Sequence, residues 1–391
     1  MSSPVHLGLE LCCQSPPDVL RGSRAFGLLC NQASVDRQFR HAADLLAQRF
    51  PGKLKALFGP QHGLWSADQD NMVETGHAMH PRLHIPVHSL YSDTRKPTQQ
   101  MLAGLDVLVV DLQDVGTRVY TYAWTLTYCL EACAQKGIPV FVLDRPNPLG
   151  GEIAEGQALD LRWQSFVGKA PMPMRHGLSI AELARWCNDV MGLGADLRVL
   201  PMQGWRRSMT WADVGRVWVP PSPNLPRAES AFVYPGQVLL EGTNVSEGRG
   251  TTTPFEQFGA PWIEPWQLLA LLAAHDVRGV ALRPVHFEPT FQKWQGKVCG
   301  GLFLHPTDLD SFLPYRTALV LLRALRELWP QQFAWRQPPY EYEATLAPID
   351  ILAGGPAVRE FVDGERPLSQ LDALAAPPID WWQRVRRSLL Y

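Results

Sequence analysis

No Gly-x-Gly-x-x-Gly pattern follows the first strand-like run, and no Gly-x-x-x-x-Gly-Lys-[Ser/Thr] occurs in the 391 residues. The first absence argues against a dinucleotide site and the second against a P-loop. Ser179 and Ser246 lack a Gly-x-Ser-x-Gly context, which disfavours a serine-hydrolase elbow. No apolar run approaches the ~18 residues a membrane span requires, so no membrane partner is expected. No basic block stands out and the formal net charge is −2, so nucleic acid is not an expected partner either. Met1 to Glu10 show no basic n-region and no apolar h-region, and the expectation is a cytoplasmic protein without a secretory signal. The seven cysteines are odd in number and irregularly spaced, which reads as reduced core thiols rather than a disulfide framework.

What is present points to a large folded core. The chain is 46% hydrophobic and 19% charged, and its length suggests two or three domains. Short apolar runs alternate with helical patterns: strands over Ala25–Cys30, Leu54–Gly59, Val87–Tyr91, Leu105–Leu112 and Ile138–Leu143, and helices over His41–Phe50 and Thr121–Lys136. Pro97 is read as opening a short helix, in the first-turn place proline tolerates. Such alternation predicts an α/β fold, a Rossmann-like and mostly parallel sheet. A capping box, Ser179-x-x-Glu182, starts another helix. From about Trp262 the pattern changes, with strands over Gly279–Phe287 and Cys299–His305 and a long helix over Asp310–Trp329. The expected division is a larger α/β domain over 1–260 and a smaller auxiliary α/β domain over 261–391.

Polar residues collect at the carboxyl ends of the predicted strands: Asn31, Gln61, His62, Asp111, Gln113, Asp114, Asp144, Arg145 and Asn147. That edge is where ligands bind in open α/β sheets. A second concentration lies in Leu239 to Glu256, which holds Glu241, Asn244, Glu247, Arg249 and Thr251 to Thr253 among Gly242, Gly248 and Gly250. Paired carboxylates are the usual equipment of glycoside hydrolysis, and Glu241 with Glu247 is the first candidate pair. Asp111 with Asp114 is the second. Asp111 ends a very apolar strand, where desolvation would suit an acid; it reads equally as an orienting carboxylate paired with Arg118 or Arg145. Arg175-His176-Gly177 precedes the capped helix, and the proline-dense Trp218 to Pro226 reads as a rigid loop, either connector or site wall. His77, His80, His84 and His88 are three and four apart, but no zinc motif supports them, and no metal is expected. Fourteen tryptophans and nine tyrosines lean towards carbohydrate, since aromatic faces stack on sugar rings.

Read together, four stretches resemble the NamZ-type exo-β-N-acetylmuramidases. They are Leu57 to Gly63, Asp111 to Tyr122 (which holds Arg118, Tyr120 and Tyr122), Leu143 to Gly151, and the Glu241 to Phe255 loop; Phe287 to Gly296 extends the likeness. The resemblance implies a Rossmann-like domain and a smaller auxiliary domain with the active cleft between them. It implies release of N-acetylmuramic acid from the non-reducing end of peptidoglycan fragments in cell-wall recycling, with a saccharide or muropeptide substrate and no cofactor. Members of the family commonly read Pro-Glu-His-Gly where this chain has Pro60-Gln61-His62-Gly63, and that glutamate is the family's proposed catalytic carboxylate. Gln61 cannot ionise. Either Glu241, Glu247 or Asp111 carries the proton transfer, or Gln61 holds a water or the acetamido group, or the chain binds the sugar without cleaving it. A metal-dependent hydrolase using Asp111 and Asp114 is the remaining reading. Arg175 or Arg249 would suit the lactyl carboxylate of muramic acid. The sequence leaves oligomeric state open.

Overall fold

The computed structural model describes residues 4–68 and 73–391. Seven strands form the larger sheet: β1 Phe26–Cys30, β2 Leu54–Gly59, β3 Ala78–Met79, β4 Pro86–Ser89, β5 Val107–Asp111, β6 Val140–Leu143 and β7 Leu197–Leu200. Their order is β3-β4-β2-β1-β5-β6-β7, and every pairing is parallel except the short β3 against β4. The central strands are apolar throughout because both faces are covered. Val107, Val109, Leu28 and Phe141 face one core, with the helices Gly8–Gln14 and Ala42–Arg49. Their neighbours Leu108, Val110, Leu29 and Val142 face the other, with the helices Tyr122–Lys136 and Ile180–Val190. Alternation of side chains along a strand produces this division. Truncating one such leucine, Leu108→Ala for example, removes about 2–5 kcal/mol of stability.

Chain order reverses between β1 and β5, which places a topological switch point at their carboxyl ends, Cys30–Asn31 and Asp111. The predicted Ser179–Glu182 capping box is present at the start of its helix. Two readings need correction. Pro97 opens no helix: residues 99–104 form only turns, because the segment is too short to repay helix nucleation before Gly104 turns left-handed at φ 77°. Strand β7 escaped the sequence reading; it is a half-buried edge strand interrupted by the exposed Arg198, so it lacks the unbroken apolar run of its neighbours.

A second, antiparallel sheet joins β8 Gln257–Ala260, β9 Val280–Phe287 and β10 Cys299–Pro306 in the order β8-β10-β9. β8 therefore lies on the N-terminal side of residue 260 yet pairs with strands beyond it. The amphipathic helix Pro314–Leu328 packs on the helix Ala228–Gln237. Their approach is close enough that a Cβ on Gly236 would sit 2.0 Å from the Pro314 carbonyl oxygen. One apolar core runs without a break from Leu108 and Val140 of the large sheet to Phe258, Leu302 and Leu319. All seven cysteines are unbridged, and Cys129 and Cys133 pack in this core. Among the described residues no helix is long and apolar enough to cross a membrane.

Candidate active site

A narrow cleft lies between the strand-end loops of the large sheet and the second half of the chain. Gln61 and His62 enter it from the turn after β2, where His62 (φ 68°) and Gly63 (φ 77°) are both left-handed. Tyr120, Thr121 and Tyr122 enter from the loop that starts the helix after β5. The Gln61 side-chain oxygen accepts a hydrogen bond from Thr121 Oγ1 at 2.7 Å, which fixes the amide's orientation. Asn31 Nδ2 donates to Tyr122 Oη (2.9 Å) and to the Pro221 carbonyl (2.6 Å), and Tyr122 Oη donates to the same carbonyl (2.6 Å). The proline-dense loop is thus fastened to the sheet edge, and Ser222, Asn224 and Leu225 make it a wall of the cleft.

The opposite wall is built from carboxylates and phenols. Glu241 sits in a 3₁₀ turn, Val238–Gly242, and accepts from Arg249 Nη2 (2.6 Å) and from Tyr340 Oη (2.7 Å). Arg249 Nε lies 3.1 Å from Glu247 Oε1, and Lys293 Nζ donates to Glu247 Oε2 at 2.8 Å. Charges therefore alternate along Glu241, Arg249, Glu247 and Lys293. Burial pushes the Glu247 carboxyl up, but the charges of Lys293 and Arg249 outweigh it and hold the group below its ordinary value. Gly250 permits this loop to press on its neighbour: a Cβ there would lie 2.6 Å from the Phe291 carbonyl oxygen.

Glu341 completes this wall. It is 4% exposed and lines the cleft beside Tyr340. Tyr91 Oη donates to its Oε2 at 3.0 Å, and Gln61 is a second side-chain partner. Burial, aided by the negative charge of Glu241, pushes its carboxyl up to about 7, against the hydrogen bonds from Tyr91 and Gln61. The backbone here is unusual. Tyr340 and Glu343 exchange both backbone hydrogen bonds at 2.9 Å, and the two residues between them, Glu341 (φ 45°) and Tyr342 (φ 68°), are both left-handed. Such a hairpin turn favours Asn-Gly. Holding non-glycine residues there costs about 1–3 kcal/mol each, and such strain clusters at functional sites.

Family models described as "Exo-beta-N-acetylmuramidase NamZ, N-terminal" and "Exo-beta-N-acetylmuramidase NamZ, C-terminal" match residues 26–229 and 232–391. The chain belongs to the NamZ family. A family member from Bacillus subtilis (strain 168), peptidoglycan β-N-acetylmuramidase NamZ, is 42% identical over 359 residues, covering 92% of this chain and 84% of its own. A crystal structure of a DUF1343 family protein from Bacteroides fragilis superposes with a TM-score of 0.89 at 29% identity, over 99% of both chains. A second DUF1343 protein from that organism gives 0.75 at 26% identity, over 100% of this chain and 99% of its own. The NamZ resemblance carried by the sequence motifs is the family found, and its expected two-part α/β architecture is the one observed.

Within this NamZ fold, the strand-end residues divide sharply. Gln61, His62, Tyr120, Tyr122, Glu241 and Arg249 line the cleft; the other sequence candidates do not. Asp111 is fully buried and clasped by Arg145 through Nε (2.5 Å) and Nη2 (2.8 Å), so the orienting reading replaces the acid reading. Asp144 accepts from Ser179 Oγ, the Ala181 and Arg145 amides and Tyr391 Oη at 2.7–2.9 Å. Burial pushes its carboxyl up to about 7 in spite of these donors. Asp114 accepts from the Gly116 amide and lies 3.3 Å from His176 Nε2. Gln113 donates to the Asp114 and Pro146 carbonyls, and Asn147 to that of Leu178. Arg118 is spent on the carbonyls of Gln157, Met172 and Leu352, and Arg175 on Glu155 and the Leu149 carbonyl. Asn244 ties Gln332 and Ala334, and Thr251 closes a turn onto the Gly248 carbonyl. Glu247 stands behind Arg249 rather than on the cleft surface. Asp111 and Glu247 are taken up by charged side chains, and the others share a different physical reason. Buried strand-to-helix loops leave backbone groups that need partners, and these side chains supply them.

Among the described residues no group of three or more His, Cys, Asp or Glu is placed to hold a metal ion. His77 and His80 instead accept from backbone amides of Ser89 and Leu83. Sequence reasoning missed Glu341, Tyr340, Tyr91 and Tyr234. The available signal was Pro338 to Glu343, where aromatic and acidic residues alternate behind two prolines.

Proposed function

We propose that this chain is an exo-acting β-N-acetylmuramidase that releases N-acetylmuramic acid from the non-reducing end of peptidoglycan fragments. The observation that carries this reading is the 42% identity to the peptidoglycan β-N-acetylmuramidase NamZ, spread over 92% of the chain. The cleft supports it. Tyr120 and Tyr234 line it and keep 6% and 8% of their surface exposed, an aromatic edge for a sugar ring. Arg249 brings a guanidinium to the same space, suited to the lactyl carboxylate of muramic acid. Glu241 is the carboxylate for the positive charge that develops at the anomeric carbon. Glu247 positions Arg249 from behind. We also propose the finer readings that the protein is cytoplasmic, serves wall recycling, and is organised as two domains meeting at the cleft, with the boundary between 229 and 260.

The test is release of chromophore from an aryl N-acetylmuramide, with the N-acetylglucosaminide beside it. Release from the muramide alone is expected. Glu241→Gln should lower kcat about 10²–10³-fold, as loss of a preorganised electrostatic group does, with KM changed far less. Muramic acid binding without turnover by the unmutated protein would instead make it a sugar-binding homologue.

A further inference from the structure

Hydrolysis of a sugar–sugar bond needs a proton for the leaving oxygen, because a sugar alkoxide is a poor leaving group. Most candidates in the cleft fail on geometry. Gln61 carries a carboxamide, which has no acidic proton. Both oxygens of Glu241 are occupied, one by a guanidinium and one by a phenol. Glu247 is held between two cations and stands off the surface. Glu341 differs in its position and in the balance of charge around it. It lines the cleft, it touches Gln61, it accepts from the Tyr91 phenol, and burial with the Glu241 charge outweighs the weaker pull of Arg249. The left-handed turn at 341–342 is what aims it there.

We propose that Glu341 is the catalytic acid of this enzyme, protonating the glycosidic oxygen from the cleft wall that faces Gln61. The assignment rests on the muramidase reading above. As the bond between the anomeric carbon and the leaving oxygen breaks, its electron pair stays on that oxygen, which takes the Glu341 proton. Positive charge builds on the anomeric carbon and ring oxygen beside Glu241. Water adds its oxygen to the anomeric carbon and sheds one proton, which returns to Glu341 directly or through solvent. Bond count and charge then close on the free sugar and the shortened fragment. The ionisable groups around Glu341 are Glu241, Tyr340, Tyr234 and Arg249 from the second half and Tyr91 from the first. Tyr342 follows it in the turn, with the Arg95 guanidinium 3.5 Å over its ring. A carboxyl whose proton leaves near pH 7 is mostly the acid below neutrality, half so at about 7, and is lost above it.

The experiment compares two substrates that differ in their need for a proton. One is a muramyl disaccharide whose leaving group is a sugar. The other is the 2,4-dinitrophenyl muramide, whose leaving group departs unprotonated. Glu341→Gln should lower kcat on the disaccharide about 10²–10⁴-fold and on the dinitrophenyl glycoside less than about tenfold. It should also abolish the fall in kcat/KM on the basic side of neutrality. Equal losses on the two substrates, or a basic limb that survives the substitution, would overturn the assignment. Should Glu341→Gln fail to fold, Tyr91→Phe carries the test. It removes a donor to the carboxylate, so the basic limb should move to higher pH; an unmoved limb overturns the proposal. Unmutated protein that cleaves neither muramide sinks the muramidase reading itself, and this assignment with it, whereas an active enzyme with equal losses sinks the assignment alone.

Discussion

The buried acids at the edge of the large sheet and the acid in the cleft have different companions. On the sheet edge Asp111 has a bidentate arginine, and Asp144 a hydroxyl, a phenol and two amides from three directions. Across the cleft Glu341 accepts from a phenol and a carboxamide, and the nearby charge of Glu241 acts on it more strongly than that of Arg249. All are buried. The difference teaches that burial alone does not mark a reactive acid. A carboxylate surrounded by donors from the chain is part of the scaffold. One that lines the cleft, with burial and a like charge raising its proton affinity, is placed to serve a substrate.

The largest expected effect tests the scaffold side. Arg145→Met leaves Asp111 buried without its guanidinium, and breaking a buried pair in this way costs about 3–5 kcal/mol. Chemical denaturation should report that loss, while the folded fraction keeps its KM. If stability holds and kcat/KM collapses instead, the sheet edge belongs to the active site after all and the contrast fails.

Next comes the pH dependence of stability. The Glu341 carboxyl sits near 7 in the fold against 4.5 ordinarily. A group raised on folding contributes stability that is fully present below about 4.5 and is lost as pH rises through about 7. At 1.36 kcal/mol per pH unit between those values the loss is on the order of 3 kcal/mol. Asp144, raised from 3.8 to about 7, acts with the same sign, so the informative measurement is the difference between the unmutated protein and Glu341→Gln. That difference should grow in favour of the variant from pH 5 to pH 8. A difference that stays flat would place Glu341 among ordinary carboxylates.

The smallest effect concerns the loop that presents Arg249. Gly250→Ala puts a methyl group against the Phe291 backbone at a left-handed position (φ 81°), at about 1–3 kcal/mol. Thermal melts should show a modest loss and kinetics a raised KM for the muramide. An unchanged KM would detach this loop from substrate binding.

Most of the sheet was legible because doubly covered parallel strands read as unbroken apolar runs, and Phe26 to Cys30 and Val107 to Asp111 do so. The Glu241–Glu256 loop was legible because glycines and charged groups rarely crowd together without a ligand or a tight packing demand. Glu341 was not legible. Its environment is assembled from Tyr91, Gln61 and Glu241, which lie 250, 280 and 100 positions away in the chain, and no local pattern registers such a meeting. The strand-end candidates show the reverse error. Arg118 and Arg175 have ligand-binding chemistry and are found where ligands bind in such folds, but backbone carbonyls and Glu155 reached them first.

The turn from Tyr340 to Glu343 is written against its own backbone. A designer seeking only a sturdy protein would install Glu341→Asn with Tyr342→Gly, relieve both left-handed positions, and obtain a more durable molecule. On the assignment above, that molecule would be catalytically silent. The residues that suit the backbone least at this turn are therefore the ones the proposed chemistry needs, and stabilising them away is a direct route to a well-folded protein that has lost its reaction.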